Sequence, residues 1–164
     1  MADPRPWRLE PAWQLGDFRL QSAAVDFWMR NLALPDGVDA RERARQLTTV
    51  AFAGDEAVGA STAVIRPMPQ VRQRLGMFRC SVAPEFRRTR MATEMAVMTR
   101  DQLEVWAKAN PQQRVKGMGC VIQGVELEAK KAQAHWPLSG LALAGYNERD
   151  EQVRVVWFKD ATID

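Results

Sequence analysis

Apolar residues at Phe18, Val25, Trp28, Met29 and Leu32 recur at helical spacing. They predict a helix from Asp17 to about Leu34, stopped by Pro35-Asp36-Gly37. Residues 1–12 hold prolines and tryptophans without periodicity and read as an irregular lead-in, with a short strand around Trp13 to Leu15. Asp39, with Glu42 three residues later, has the form of a capping pair and opens a second short helix reaching about Gln46. Leu47 to Ala53 (LTTVAFA) is β-branched and aromatic, the pattern of a strand. Gly54-Asp55 turns it into a second strand, Ala57 to Ile65, and so short a turn makes the two antiparallel neighbours. Pro67 and Pro69 break the pattern, leaving a loop as far as Arg74.

Leu75 to Val82 is the third strong strand. Alternation places Met77, Arg79 and Ser81 on one face and Phe78, Cys80 and Val82 on the other. A long helix follows from about Arg90 to Lys108, with Ala92, Met95, Thr99, Leu103 and Trp106 down one side and Asn110-Pro111 at its end. Its methionine-rich stripe reads as core packing. Val115 to Ile122 is a strand whose two glycines mark a bulge or a close backbone approach. Val125 to His135 is helical, with Trp136-Pro137 at its end. Leu141 to Tyr146 and Gln152 to Lys159 form a closing hairpin around Asn147 to Asp150. Strand–helix–strand in the middle implies a right-handed crossover and a parallel pair. Hairpins at both ends imply antiparallel edges. The expected fold class is α/β (α+β), a mixed, mostly antiparallel sheet flanked by helices, in a single domain over residues 1–164.

Composition changes this picture little. The 164 residues suffice for one core, and 46% hydrophobic with 26% charged residues is ordinary for a globular chain. No apolar run has the length of a membrane span, and MADPRPWRLEP lacks the apolar centre of a secretion signal. Cys80 and Cys120 fall in predicted strands beside a single histidine, without metal-ligand spacing. That predicts a cytoplasmic chain with free thiols and no metal.

Charge changes it more. The net charge is only +3, yet seven arginines and one acid, Glu85, lie between Arg66 and Arg90. Such density indicates an anionic partner or a solvated basic surface. The strand Leu75–Val82 passes into the long helix through the densest part of that run. The first N–H groups of the helix, its dipole and the guanidiniums then favour negative charge at one place.

The stretch Val82-Ala83-Pro84-Glu85-Phe86-Arg87-Arg88-Thr89-Arg90-Met91-Ala92 resembles the pyrophosphate loop of the GCN5-related N-acetyltransferase superfamily, V-x-P-x-x-R/Q-x-x-G-x-G/A. Ala132 to Leu141 (AQAHWPLSGL) is similar to that family's A-x-x-x-Y-x-x-x-G-F. The likeness runs from about Leu47 to the C-terminus. It implies an acyl-CoA N-acyltransferase fold whose strands at about 75–82 and 115–122 splay apart, with 75–106 as the strand–loop–helix cofactor motif. It further implies acetyl-CoA or another acyl-CoA as co-substrate. Arg87 would begin the loop, and backbone N–H groups from Arg88 through Thr89, Arg90 and Met91 to Ala92 would hold the diphosphate. Backbone groups of Ser81 and Val82 would pair with the pantetheine arm. Arg90 stands where the pattern has its first glycine, and Trp136 where it has tyrosine.

Acyl transfer to an amine needs a group to take a proton and a way to stabilise the departing thiolate. His135 is the only histidine and Tyr146 the only tyrosine, so both are candidates, each against a structural role. Glu126 follows the fourth main strand and is a third candidate, against simple pairing with a helix dipole. The resemblance implies an N-acyltransferase acting on the amine of a small molecule or a protein, with no membrane partner. Two further classes stay open: a degenerate CoA-binding or regulatory module, and a nucleic-acid partner for the 66–90 arginines. The sequence also leaves a homodimer open.

Overall fold

The computed structural model describes residues 5–123 and 128–163. Its sheet has seven strands in the order β1-β2-β3-β4-β5-β7-β6. The chain divides into two compact units, Met1–Ala63 with Arg79–Thr99, and Val64–Phe78 with Arg100–Asp164.

In the first unit β1 (Arg8–Pro11) pairs antiparallel with β2 (Leu47–Ala53), Arg8 opposite Phe52 and Pro11 opposite Thr49. The lead-in therefore holds a strand four residues before the expected one, and Trp13 to Leu15 is a turn. β2 pairs antiparallel with β3 (Glu56–Met68), as the Gly54-Asp55 turn requires. β2 is buried on both faces except at Ala53, which explains its unbroken apolar and threonine run. β3 runs three residues past Ile65, through Pro67, so the loop beyond it is shorter than expected.

Helix α1 (Phe18–Asn31) begins where the Asp17 carboxylate accepts the Leu20 N–H at 3.2 Å. It stops short of Leu34 because Leu32 takes a left-handed conformation, φ 47°. Leu20, Ala24, Phe27 and Trp28 are its buried face. Phe18, Met29 and Leu32 are exposed, contrary to the stripe expected from sequence. Helix α2 (Ala40–Ala44) packs on α1, and Asp39 accepts from the N–H groups of Arg41 and Glu42.

Helix α3 (Met91–Ala109) follows β4 (Gln73–Val82). Its buried residues are Met91, Met95, Ala96, Thr99 and Leu103, whereas Ala92 is exposed. In the first unit Thr99, Thr48 and Ser61 hydroxyls form a fully buried chain, 2.8 Å from Thr99 to Thr48 and 2.8 Å from Thr48 to Ser61. Each group thereby meets another in a region without water.

In the second unit β4 pairs parallel with β5 (Val115–Val121), from Arg74 opposite Val115 to Met77 opposite Gly119. β5 and β6 (Ala142–Tyr146) each pair antiparallel with β7 (Gln152–Trp157). Met68, Leu75, Met77, Val153 and Val155 form one of its buried hydrophobic clusters. Asn147 accepts the Arg149 and Glu151 N–H groups in the hairpin turn. Among the described residues helix α4 is Glu128–Lys131. The helix expected over Val125–His135 thus ends at Lys131.

Candidate cofactor site

The first unit contains the whole turn from β4 into α3. The Ala83 N–H donates to the Val58 carbonyl at 2.8 Å, which fixes the chain as it leaves the strand. A single 3-10 turn, Pro84–Phe86, follows. The Thr89 N–H and hydroxyl both donate to the Phe86 carbonyl, at 3.1 and 2.6 Å. The same hydroxyl accepts the Met91 N–H at 3.2 Å, so Thr89 caps α3. The first intrahelical bond runs from the Glu94 N–H to the Arg90 carbonyl, 2.9 Å. The N–H groups of Arg88, Arg90, Ala92 and Thr93 donate to no described residue. A helix start of this kind attracts an anion.

Side chains reinforce that field. Arg87, Arg88, Thr89, Arg90 and Ala92 are exposed, while Met91 is fully buried and anchors the turn. The Arg87 Nε donates to the Val82 carbonyl at 3.4 Å. Ser81 and Val82 are half-buried at the end of β4. The ladder of β4 with β5 ends at Met77, whereas β4 itself continues to Val82.

Two features here were not singled out from sequence. Trp7 lies edge-on to Phe86, ring centroids 6.1 Å apart, and its Nε1 donates to Glu94 at 3.0 Å. The lead-in is thereby tied to the cofactor turn. Arg43 of α2 and Arg79 of β4 are close enough for their charges to interact, and neither side chain has a hydrogen bond or ion pair to a described residue. Burial, and then the Arg79 charge, hold Arg43 below its ordinary pKa. Only the high arginine content of the chain hinted at this pair.

The other candidates lie in the second unit. His135 is exposed and bridges Ala142 at the start of β6. Tyr146 is at the far end of the same strand, 54% exposed. Four residues along a strand separate them by about 13 Å, so the structure does not bring them together. Glu126 lies outside the described residues.

Trp136 has a structural setting. Its Nε1 donates to the Lys130 carbonyl at 2.9 Å, and its ring covers Arg154, whose Cζ is 4.1 Å from the centroid. Arg154 is fully buried, and its Nη2 reaches the carbonyls of Lys130, Lys131 and Gln133 and the Gln152 side chain. These bonds satisfy carbonyls at the end of α4.

Burial pushes the Cys80 thiol up to about 12. Burial does the same to Cys120, up to about 12, against the opposing pull of the Arg154 charge. Both cysteines are free, and neither is a thiolate near neutral pH. Iodoacetamide at pH 8 is therefore expected to label the native protein about a thousandfold more slowly than the unfolded chain. Labelling followed by mass spectrometry checks this, and rapid modification of either cysteine in the native state contradicts it.

Among the described residues no helix is long and apolar enough to cross a membrane, and no three His, Cys, Asp or Glu side chains converge as a metal site. No protein-family model matches the sequence, and no curated protein is similar to it by sequence. Its fold is similar to solved structures. One is the ribosomal-protein-S5-alanine acetyltransferase of Vibrio fischeri, with a TM-score of 0.61 and 12% identity over 98% of this chain and 97% of that one. Another is the ribosomal-protein-S18-alanine N-acetyltransferase of Escherichia coli, with a TM-score of 0.57 and 10% identity over 95% and 96%. A mutant of the AtaT toxin, bound to the C-terminus of the antitoxin AtaR and to acetyl-CoA, gives 0.58 and 10% over 94% of each chain. The chain has the fold of the GCN5-related N-acetyltransferases.

Against the GCN5-related pattern, the two departures take on physical meaning. Arg90 is not among the residues with positive φ, so the backbone at this place does not require glycine. Its side chain is exposed and leaves the turn open. Trp136, in the place of the pattern's tyrosine, spends its one polar hydrogen on the Lys130 carbonyl. An indole N–H is also no acid near neutral pH. The glycine of the second motif remains: Gly140 has φ +79°, and its N–H donates to the Trp136 carbonyl at 2.8 Å.

Proposed function

We propose that the chain is a divergent GCN5-related acyltransferase that binds acetyl-CoA, or another acyl-CoA, and transfers the acyl group directly to an amine. The observation that carries this reading is the open turn from β4 into α3. It presents the Arg88, Arg90, Ala92 and Thr93 N–H groups, without partners among the described residues, amid exposed Arg87, Arg88 and Arg90. A diphosphate is the anion that such a nest of N–H groups holds without specific side chains. Ser81 and Val82, beyond the end of the β4–β5 ladder, would carry the pantetheine arm as an added strand does.

When bound, the co-substrate supplies a thioester carbonyl for the acceptor amine to attack. The chain's own task is to hold it, orient the amine and take its proton. His135 and Tyr146, four residues apart along the β6 edge, are each a candidate for taking that proton. The buried, neutral thiols of Cys80 and Cys120 favour direct transfer over a cysteine-bound intermediate. The acceptor is the amine of a small molecule or a protein.

A second reading rests on Trp136: with its N–H committed to a backbone carbonyl, the chain would bind CoA without catalysis. Thiol release from acetyl-CoA, with mass spectrometry of a panel of small amines and of peptides with free N-termini, separates the two. Acetylation of any amine, lost on Ala92→Asp, supports the transferase. Tight acetyl-CoA binding with no transfer across the panel favours the module.

A further inference from the structure

Helix α1 carries two apolar faces. One, formed by Leu20, Ala24, Phe27 and Trp28, is buried in the first unit. The other is open to solvent: Phe18 is 80%, Met29 65% and Leu32 88% exposed, and Leu15 in the preceding turn is 63% exposed. Ser22 and Val25, both partly buried, continue the line. Positions 18, 22, 25 and 29, all within α1, advance in alternating steps of four and three, flanked by Leu15 in the turn before Asp17 and by Leu32 in the left-handed cap. That is the seam by which one helix pairs with another, whereas apolar side chains scattered singly over a surface need no explanation.

We propose that this seam binds a second copy of the chain, with the two α1 helices antiparallel about a two-fold axis that passes between Ala23 and Ala24. The stripe is complementary to itself in that arrangement. Phe18 of one copy meets Met29 of the other, and Ser22 meets Val25. An isologous contact of this kind closes at two copies.

The charges beside the seam select the same arrangement. Arg19 and Asp26 flank it on one side, and antiparallel pairing sets each Arg19 beside the other copy's Asp26, twice. The Asp26 side chain has no hydrogen bond or ion pair to any described residue. Arg19 is bonded to Glu10, but Arg8 shares that carboxylate, so the trio retains one positive charge for a new partner. A parallel, in-register pair would set Asp26 against Gln21 and leave its charge uncompensated. The four exposed side chains offer roughly 500 Å² of apolar surface per copy, the size of a large patch on a monomer and less than a standard stable interface. Association is therefore reversible, with a Kd on the order of micromolar.

Analytical ultracentrifugation of the intact chain, from about 1 μM to several hundred micromolar, tests this. The weight-average mass is expected to rise from 18.5 kDa towards twice that value. Phe18→Glu with Met29→Glu should hold it at the monomer value without lowering Tm, because both side chains are exposed. Asp26→Arg should weaken association about fivefold. For the register, a Ser22→Cys chain is mixed with a Val25→Cys chain and oxidised with diamide, which joins one thiol from each as a disulfide. A mixed cross-linked dimer is expected, with little from either variant alone. A monomer at every concentration overturns the proposal, as does a dimer unaffected by Phe18→Glu with Met29→Glu. Cross-linking of each variant with itself, and not with the other, overturns the antiparallel arrangement.

Discussion

Ala92→Asp is expected to weaken acetyl-CoA binding between ten- and a hundredfold while leaving the fold intact. Ala92 is exposed in the first turn of α3, one residue past the buried Met91. A carboxylate there suits the helix, since negative charge in a first turn stabilises it by about 0.3–1 kcal/mol. The same carboxylate faces the place where the diphosphate is proposed to lie. Like charges about 4–5 Å apart repel by roughly 2–4 kcal/mol at a protein surface before salt screening, and less after it. Fold and site are thus pushed in opposite directions by one substitution. Thermal unfolding should show Tm unchanged or slightly raised, calorimetric titration a large loss of affinity. Ala92→Ser, of similar size without charge, should bind as the natural chain does. Equal affinity for Ala92→Asp and the natural chain would show that the anion lies elsewhere.

Gly117→Ala is expected to have the largest effect on stability. In β5, Gly117 pairs with Trp157 of β7, and a Cβ at this position would fall on the Val156 carbonyl oxygen. A backbone atom held in a ladder cannot move aside as a flexible side chain can. Gly59 offers the contrast: an added Cβ would meet the sulfurs of Met91 and Met95 at 3.1 and 3.3 Å and the Ala51 Cβ at 3.3 Å, side-chain atoms and no backbone. Overpacking against backbone costs about 3 kcal/mol. For a chain of this size that lowers Tm by about 6–12 °C. Gly59→Ala should lower it by less than half as much. Differential scanning calorimetry of the two variants checks the order, and equal losses would contradict it.

How far the chain could be read from its sequence follows from which forces shape each part. β2 was legible because β-branched and aromatic residues mark a buried strand wherever it lies. β1 was not: Arg8–Pro11 is four residues without a β-branched or aromatic side chain and ends in proline, and it is a strand because β2 offers it an edge. The long helix was placed correctly, but its periodicity did not distinguish Met91, which is buried, from its exposed neighbour Ala92. In α1 the apolar pattern was real and belonged largely to the outer face, with Trp28 the only named residue on the buried one.

The candidate site divides in the same way. Its turn was legible because capping, proline and arginine act locally between Val82 and Ala92. Trp136 was not, because its role depends on Arg154, eighteen residues later. That guanidinium takes the Lys130, Lys131 and Gln133 carbonyls, which also explains why α4 stops at Lys131 and does not reach His135. The Arg43–Arg79 pair escaped notice for a similar reason, since α2 and β4 are joined only by the fold.

The central claim is that the turn from β4 into α3 binds the diphosphate of an acyl-CoA. Calorimetric titration of the natural chain with acetyl-CoA and with CoA tests it most directly. Binding to both with a Kd of about micromolar or tighter, weakened by Arg87→Ala and Arg88→Ala, is the predicted result. No heat of binding at millimolar acetyl-CoA, from protein shown by its Tm to be folded, would contradict the account.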